Sequence, residues 1–148
     1  MSAPPFERTT CACDDCIACC KRQPGPLAPG QLQEIAAHLH LSVEAASRFF
    51  CASPGALAMN TSTGELIRIR TITPKSTNSG RCIFLSEDDR CMIHGYAPVG
   101  CSHFDTHMSA EEGHRRGVWL YSAIRDDVEY QRLRSTLDAA RSWNPVRI

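Results

Sequence analysis

Between Cys13 and Cys20 the chain reads Cys-Asp-Asp-Cys-Ile-Ala-Cys-Cys, a C-x2-C-x2-C-C run with Cys11 two positions upstream. Thiolates spaced this way converge on one ion when the two residues between them form a turn whose N–H groups face the sulfurs, as in zinc knuckles and iron–sulfur loops. The run constrains the fold more than any local propensity, because binding metal there makes folding of the N-terminal segment part of the binding equilibrium. Cys19 and Cys20 adjoin, and neighbouring side chains diverge. Either they serve two different metals, or one ligates while the other bridges or packs. Cys82, Cys91 and Cys101 are candidate second-half ligands, about sixty residues downstream; a shared site would pin the N-terminus against the middle of the chain.

With 148 residues, 43% of them hydrophobic, the chain suits one domain spanning 1–148, since a domain of this size buries roughly two-thirds of its unfolded surface. The 16 basic and 16 acidic residues cancel, leaving no global field to draw it onto nucleic acid or acidic lipid. No apolar stretch reads as a secretory signal or a membrane span, which leads to the expectation of a cytoplasmic protein with no membrane partner. In a reducing compartment nine cysteines are a poor disulfide set, and the odd number would leave one unpaired in any case.

The pattern along the chain predicts an α+β fold: a small α-rich single domain with short β-hairpins around a cysteine-rich metal centre. Three prolines and two glycines in 21–30 predict an irregular exit from the cysteine run, and residues 1–30 offer little core of their own. Leu32, Ile35, Ala36 and Leu39 predict a helix over about 30–40. Ser42 as N-cap predicts a second over 43–52, ended by Pro54-Gly55 and carrying Cys51 in apolar company, hence as core. Alternation in 57–73 predicts a hairpin, and 82–85 and 91–94 read as two short strands joined by 86–90. Ser109 with Glu112 resembles a capping box, and an apolar stripe from Leu120 to Ala140 predicts one docking helix over about 118–143. That stripe is also the candidate face for a protein partner.

The ordered set Cys13-x2-Cys16-x2-Cys19-Cys20, Cys82-Ile-Phe-Leu85, Cys91-Met-Ile-His94 and Pro98-Val-Gly-Cys101-Ser-His-Phe104 resembles the bacterial CxxCxxCC family of zinc- or iron-chelating domains over roughly 11–104. The resemblance implies metal ligation by Cys13, Cys16, Cys19, Cys20, Cys82, Cys91 and Cys101. It leaves zinc against iron open. The chain departs from the family pattern at His94, where an aromatic residue is usual, and at Ala97 and Ser102, where arginine is favoured. His94 nonetheless stands in a Cys91-x2-His94 relation, a zinc spacing.

One tetrahedral zinc uses four ligands; two need eight positions, reachable with seven cysteines if one bridges or if a histidine joins. A [4Fe–4S] cluster takes four, and Cys13-x2-Cys16-x2-Cys19 matches the first three of a ferredoxin loop, although the closing Cys-Pro is missing. The C-x3-C-x2-C triad of radical enzymes is absent. The leading expectation is a metal-binding protein holding one or two zinc ions in a structural or metal-handling role; the other is an iron–sulfur protein with a redox or enzymatic role. Lys21, Arg22, Arg81 and Arg90 flank the cysteines as a candidate cationic surround. His103 and His107, four apart, would share a face if helical, and with His114 and Glu111 could bind metal or supply a base. Without an H-E-x-x-H pattern they read as solvent-facing. Cys11, off the C-x2-C rhythm, and Cys51 are expected outside the ligand set.

Overall fold

A computed structural model describes residues 3–9, 11 and 13–139, with the side chain of Cys19 outside the described part. The elements run α1 (Asp14–Arg22), α2 (Gln31–His38), α3 (Val43–Ser47), β1 (Phe50–Met59), β2 (Leu66–Pro74), a 3-10 turn (His94–Tyr96), α4 (Val99–Ser102), α5 (Ala110–Asp126) and α6 (Val128–Ser135). β1 and β2 form a two-stranded antiparallel sheet. The α+β class is as the sequence predicts.

The cysteine run is a helix, not the turn expected from its spacing. Asp14 and Asp15 occupy the first turn of α1 and Lys21 and Arg22 the last, so charges at both ends oppose the helix dipole. Residues 24–29 correct a second expectation: Pro24, Leu27, Ala28 and Pro29 are buried, so the exit loop belongs to the core. Leu27 N–H donates to Ile72 O at 2.9 Å, and Leu27 O accepts from the Tyr130 hydroxyl at 2.8 Å, stitching this loop to β2 and α6.

Helix α3 is shorter than the predicted 43–52. Ser42 caps it, accepting from Ala45 N–H, but by Phe50 the chain is already strand, and Cys51 sits buried on β1 opposite Thr73. Pro54-Gly55 does not end a helix. It makes a bulge between Ser53 and Ala56, with Gly55 at φ 73° against Ile69 O, where a Cβ would sit 1.8 Å away. The Arg134 guanidinium donates to the bulge carbonyl Ser53 O at 2.7 Å and to Thr71 O at 3.0 Å. The second predicted ribbon is only a tight turn pinned by a single Leu85–Cys91 bridge, with Met92 N–H on Phe84 O at 2.7 Å.

The predicted helix over 118–143 is two helices. Ser109 caps α5 by accepting from Glu112 N–H, and the helix runs through Gly113 and Gly117 to Asp126. Asp127 leaves helical geometry (ψ 105°) and caps α6 through Tyr130 N–H. A break is favoured here because the Asp127 side chain satisfies a first-turn donor that a continuous helix would bond internally. Residues 140–143 of the prediction lie outside the described residues. Leu120, Ile124 and Tyr130 are buried with Leu133 and Leu137 packed beside them, while Val128 stays 81% exposed.

Tyr130 is the cross-brace of this core. Its hydroxyl accepts from Ile72 N–H at 2.7 Å while donating to Leu27 O. Tyr130→Phe removes both bonds and strands two buried backbone groups, costing about 1–3 kcal/mol. A thermal midpoint lower by roughly 3–10 °C is expected; an unchanged midpoint would show the bonds contribute nothing. Burial pushes the Tyr130 phenol well up from its ordinary 10.0. The stability from its burial is therefore complete below pH about 10 and lost as pH climbs beyond, because the unfolded chain ionises first; Tyr130→Phe flattens that slope.

Candidate metal centre

The N-terminal turn of α1 gathers one group of donors. The Sγ atoms of Cys11, Cys13 and Cys16 and a ring nitrogen of His107 all lie within 4.8 Å of one another. Cys13 Sγ is 3.6 Å from Cys16 Sγ and 3.3 Å from His107 Nε2. The Cys16 backbone N–H at the helix start holds the Cys13 thiol below its ordinary range, aided by the Cys11 and Cys16 thiols. Cys11 moves the other way: the Cys13 backbone pulls it down, but hydrogen bonds to the Cys16 and Cys13 sulfurs leave it raised overall. His107 is brought in by the loop between α4 and α5, where Asp105 Oδ1 accepts from His107 N–H and Met108 N–H, both at 2.9 Å. Thr106 Oγ1 lies 3.4 Å from Cys16 Sγ.

The second group gathers one turn further along α1, a rise of about 6 Å from Cys16 to Cys20. Cys82 N–H donates to Cys20 O at 2.7 Å. Cys101 enters from α4, its Sγ accepting from Gly25 N–H at 3.1 Å. Burial pushes the Cys101 thiol well up, and the nearby sulfurs of Cys20, Cys82 and Cys91 push it further. Burial likewise raises Cys82 to about 12, with Cys20 and Cys91 adding to it, and raises Cys91. Burial is the main cause of each shift, as it is for Cys51 in the core, and the added push between sulfurs marks Cys20, Cys82, Cys91 and Cys101 as neighbours.

A family model described as "Putative zinc- or iron-chelating domain" matches residues 12–120. The chain belongs to the CxxCxxCC family. Neither a curated protein nor a solved structure matches it. The donors fit the chelating description: thiolate and imidazole are ligands of zinc and iron alike, whereas magnesium and calcium take oxygen. A tetrahedral ion bound at about 2.3 Å to sulfur and about 2.0–2.1 Å to nitrogen separates two sulfurs by roughly 3.8 Å and sulfur from nitrogen by roughly 3.6 Å. The Cys13–Cys16 and Cys13–His107 separations in the first group lie close to those edges.

Of the seven motif cysteines in this CxxCxxCC chain, the geometry brings Cys13 and Cys16 together at one end of α1, in the one group of donors within 4.8 Å of each other among the described residues, while Cys20, Cys82, Cys91 and Cys101 are looser neighbours at the next turn. Cys51 stays in the core, its Sγ 3.6 Å from Thr73 Oγ1. His94 is exposed at the 3-10 turn and His114 exposed on α5. His103 and His107 share no helix: His103 ends α4, buried, with Nδ1 2.7 Å from Ser102 Oγ. The expected cationic surround is largely committed elsewhere. Lys21 and Arg81 both pair with Asp89, at 2.9 and 2.8 Å, and Arg90 with Asp88 at 3.5 Å. The cation whose charge lowers Cys91 is instead Arg8, anchored by donating to Gly95 O at 2.8 Å.

Sequence reasoning passed over the pieces that set this geometry. Cys11 broke the rhythm, and His107 lacked a motif. Gln31, 7% exposed, accepts from Ala28 N–H at 2.9 Å and Val99 N–H at 2.7 Å and donates to Ala97 O at 3.3 Å, fixing the approach to Cys101. Phe6, under the Arg116 guanidinium at 4.8 Å and edge-on to Trp119 at 5.5 Å, docks the segment that leads to Cys11. A polar residue among the apolar positions of α2 was the one signal available for Gln31.

Proposed function

We propose that this protein holds zinc in a multi-cysteine thiolate centre supplied by Cys13, Cys16, Cys19, Cys20, Cys82, Cys91 and Cys101, and that the metal has a structural or metal-handling role in the cytoplasm. The observation that carries the reading is the convergence of Cys13, Cys16 and His107 at separations close to the edges of a single tetrahedral ion. The corners of an iron–sulfur cubane spread its cysteines further apart, and an imidazole donor is ordinary for zinc. A reducing compartment suits the role, because thiols free of disulfides are the ligand form. Iron–sulfur chemistry draws its support from Cys20, Cys82, Cys91 and Cys101, an all-sulfur set of the size a cluster takes.

Anaerobic purification followed by an absorption spectrum and elemental analysis tests the proposal. Colourless protein carrying zinc is expected; a broad visible band with iron and acid-labile sulfide would replace zinc with a cluster. Cys51→Ala is expected to leave metal per chain unchanged, since its thiol faces Thr73 and not the centre. Loss of metal in that variant would show that the core strand supports the site.

A further inference from the structure

We propose that helix α1 carries two separate metal positions one turn apart, and that Cys11 and His107, with Cys13 and Cys16, form the outer one. This rests on the zinc–thiolate reading and adds to it a ligand set, a stoichiometry and a difference in exchange. Cys11 precedes the family match, which begins at residue 12, and His107 belongs to none of the cysteine motifs. Yet these two, and not Cys20 or any of the downstream cysteines, stand within 4.8 Å of Cys13 and Cys16. Three thiolates and one imidazole make a complete tetrahedral shell, so the outer position needs no bridging sulfur. The remaining described motif cysteines, Cys20, Cys82, Cys91 and Cys101, are then four donors for an inner position, so seven cysteines and His107 fill eight places, with Cys11 taking a place in the count that the motif set gives to Cys19.

The supporting architecture is specific to each position. His107 is aimed by the Asp105 turn, with Thr106 Oγ1 beside Cys16 Sγ, so the loop offers both a ligand and a hydroxyl for sulfur. Cys11 is delivered by a segment held at Thr9, whose N–H donates to Ser102 O at 2.8 Å, and at Phe6 and Arg8. These ties are independent of metal, so Cys11 and His107 are brought beside α1 in advance, and the ordering left for the ion falls on the helix that carries Cys16. The two positions differ in access. Cys13 and His107 are exposed, whereas Cys82 is buried and the Cys101 thiol lies under Gly25. Solvent and chelators reach the outer ion directly; the inner ion leaves only when the loops holding Cys82 and Cys101 open.

The purified protein is expected to hold two zinc ions and to release them to excess EDTA in two phases of equal amplitude, the faster from the outer position. Cys11→Ser and His107→Ala should each lower the count from two to one and abolish the fast phase alone, while His107→Cys, which replaces the imidazole donor with a sulfur, should keep two. His107 lies on an exposed loop, so His107→Ala folds whether or not Cys11→Ser does. Two ions retained by His107→Ala with both phases intact would overturn the proposal, as would one ion in the parent chain. If the parent chain holds iron with sulfide, the zinc reading fails by itself; the ligand assignment then stands or falls on whether His107→Ala loses metal.

Discussion

Stripping the metal opens helix α1 to trypsin at Lys21 and Arg22 while the chain from Leu27 onward stays resistant. The helix has nine residues, too few to be stable alone in water, and of its described side chains Ile17 and Cys20 are the apolar ones packed against the core. Its described sulfurs belong to the two cysteine groups, so a bound metal is expected to supply most of what holds it. Structural zinc contributes about 10–16 kcal/mol at neutral pH in small zinc domains, far more than the exposed Lys21–Asp89 pair can. The released stretch is narrower than residues 1–30, because Phe6, Arg8 and Thr9 have contacts of their own on one side and Pro24, Leu27, Ala28 and Pro29 are buried on the other. Cleavage after Lys21 and Arg22 is expected to accelerate on the order of a hundredfold on adding EDTA, about 2.7 kcal/mol of lost local protection. Equal protection of these bonds with and without chelator would show that α1 stands without metal.

Gly100→Ala should be strongly destabilising and should disturb the metal centre as well. Two backbone stretches meet here with no side chain between them: a Cβ on Gly100 would sit 2.2 Å from Pro26 Cδ and 2.4 Å from Pro26 N, and one on Gly25 would sit 2.3 Å from Gly100 C. The contact carries the Gly100 N–H bond to Pro26 O at 2.9 Å and the Gly25 N–H bond to Cys101 Sγ. Rigid backbone cannot yield as a side-chain end can, so the added carbon displaces α4 and takes Cys101 with it. A loss of about 3 kcal/mol, near the upper end for overpacking, and a thermal midpoint lower by roughly 6–12 °C are expected, together with weaker metal retention. Gly95→Ala is the control, because nothing lies within 4 Å of its Cβ position. A Gly100→Ala protein with the parent midpoint and metal content would show that the two loops can part without cost.

Local chemistry made much of this readable in advance. Ser42 and Ser109 cap helices because their hydroxyls meet donors three residues on, and alternation through Leu66–Ile72 gives a strand whatever surrounds it. The cysteine motifs and their order carried the family and metal binding. The same local signals misplaced Cys51, since an apolar run of this length reads equally as helix end or buried strand. They also ran one helix through Asp127, where a side-chain cap competes with the helical bond on nearly equal terms.

What the sequence by itself determined is the donor inventory: soft ligands in a spaced run and a downstream triplet, the composition of a chelating site. What only the tertiary structure decided is which donors meet. The C-x2-C spacing is compatible with a knuckle or with a helix, and the charged residues at both ends of α1 favour the helix; Cys16 and Cys20 then share a face one turn apart, and the segments packed against each turn decide which donors each sulfur meets. His107 reaches Cys13 across 94 positions because the Asp105 turn and the docking of Phe6 and Thr9 bring two segments together. Contacts of that range depend on how the core packs, and no spacing along the chain encodes them.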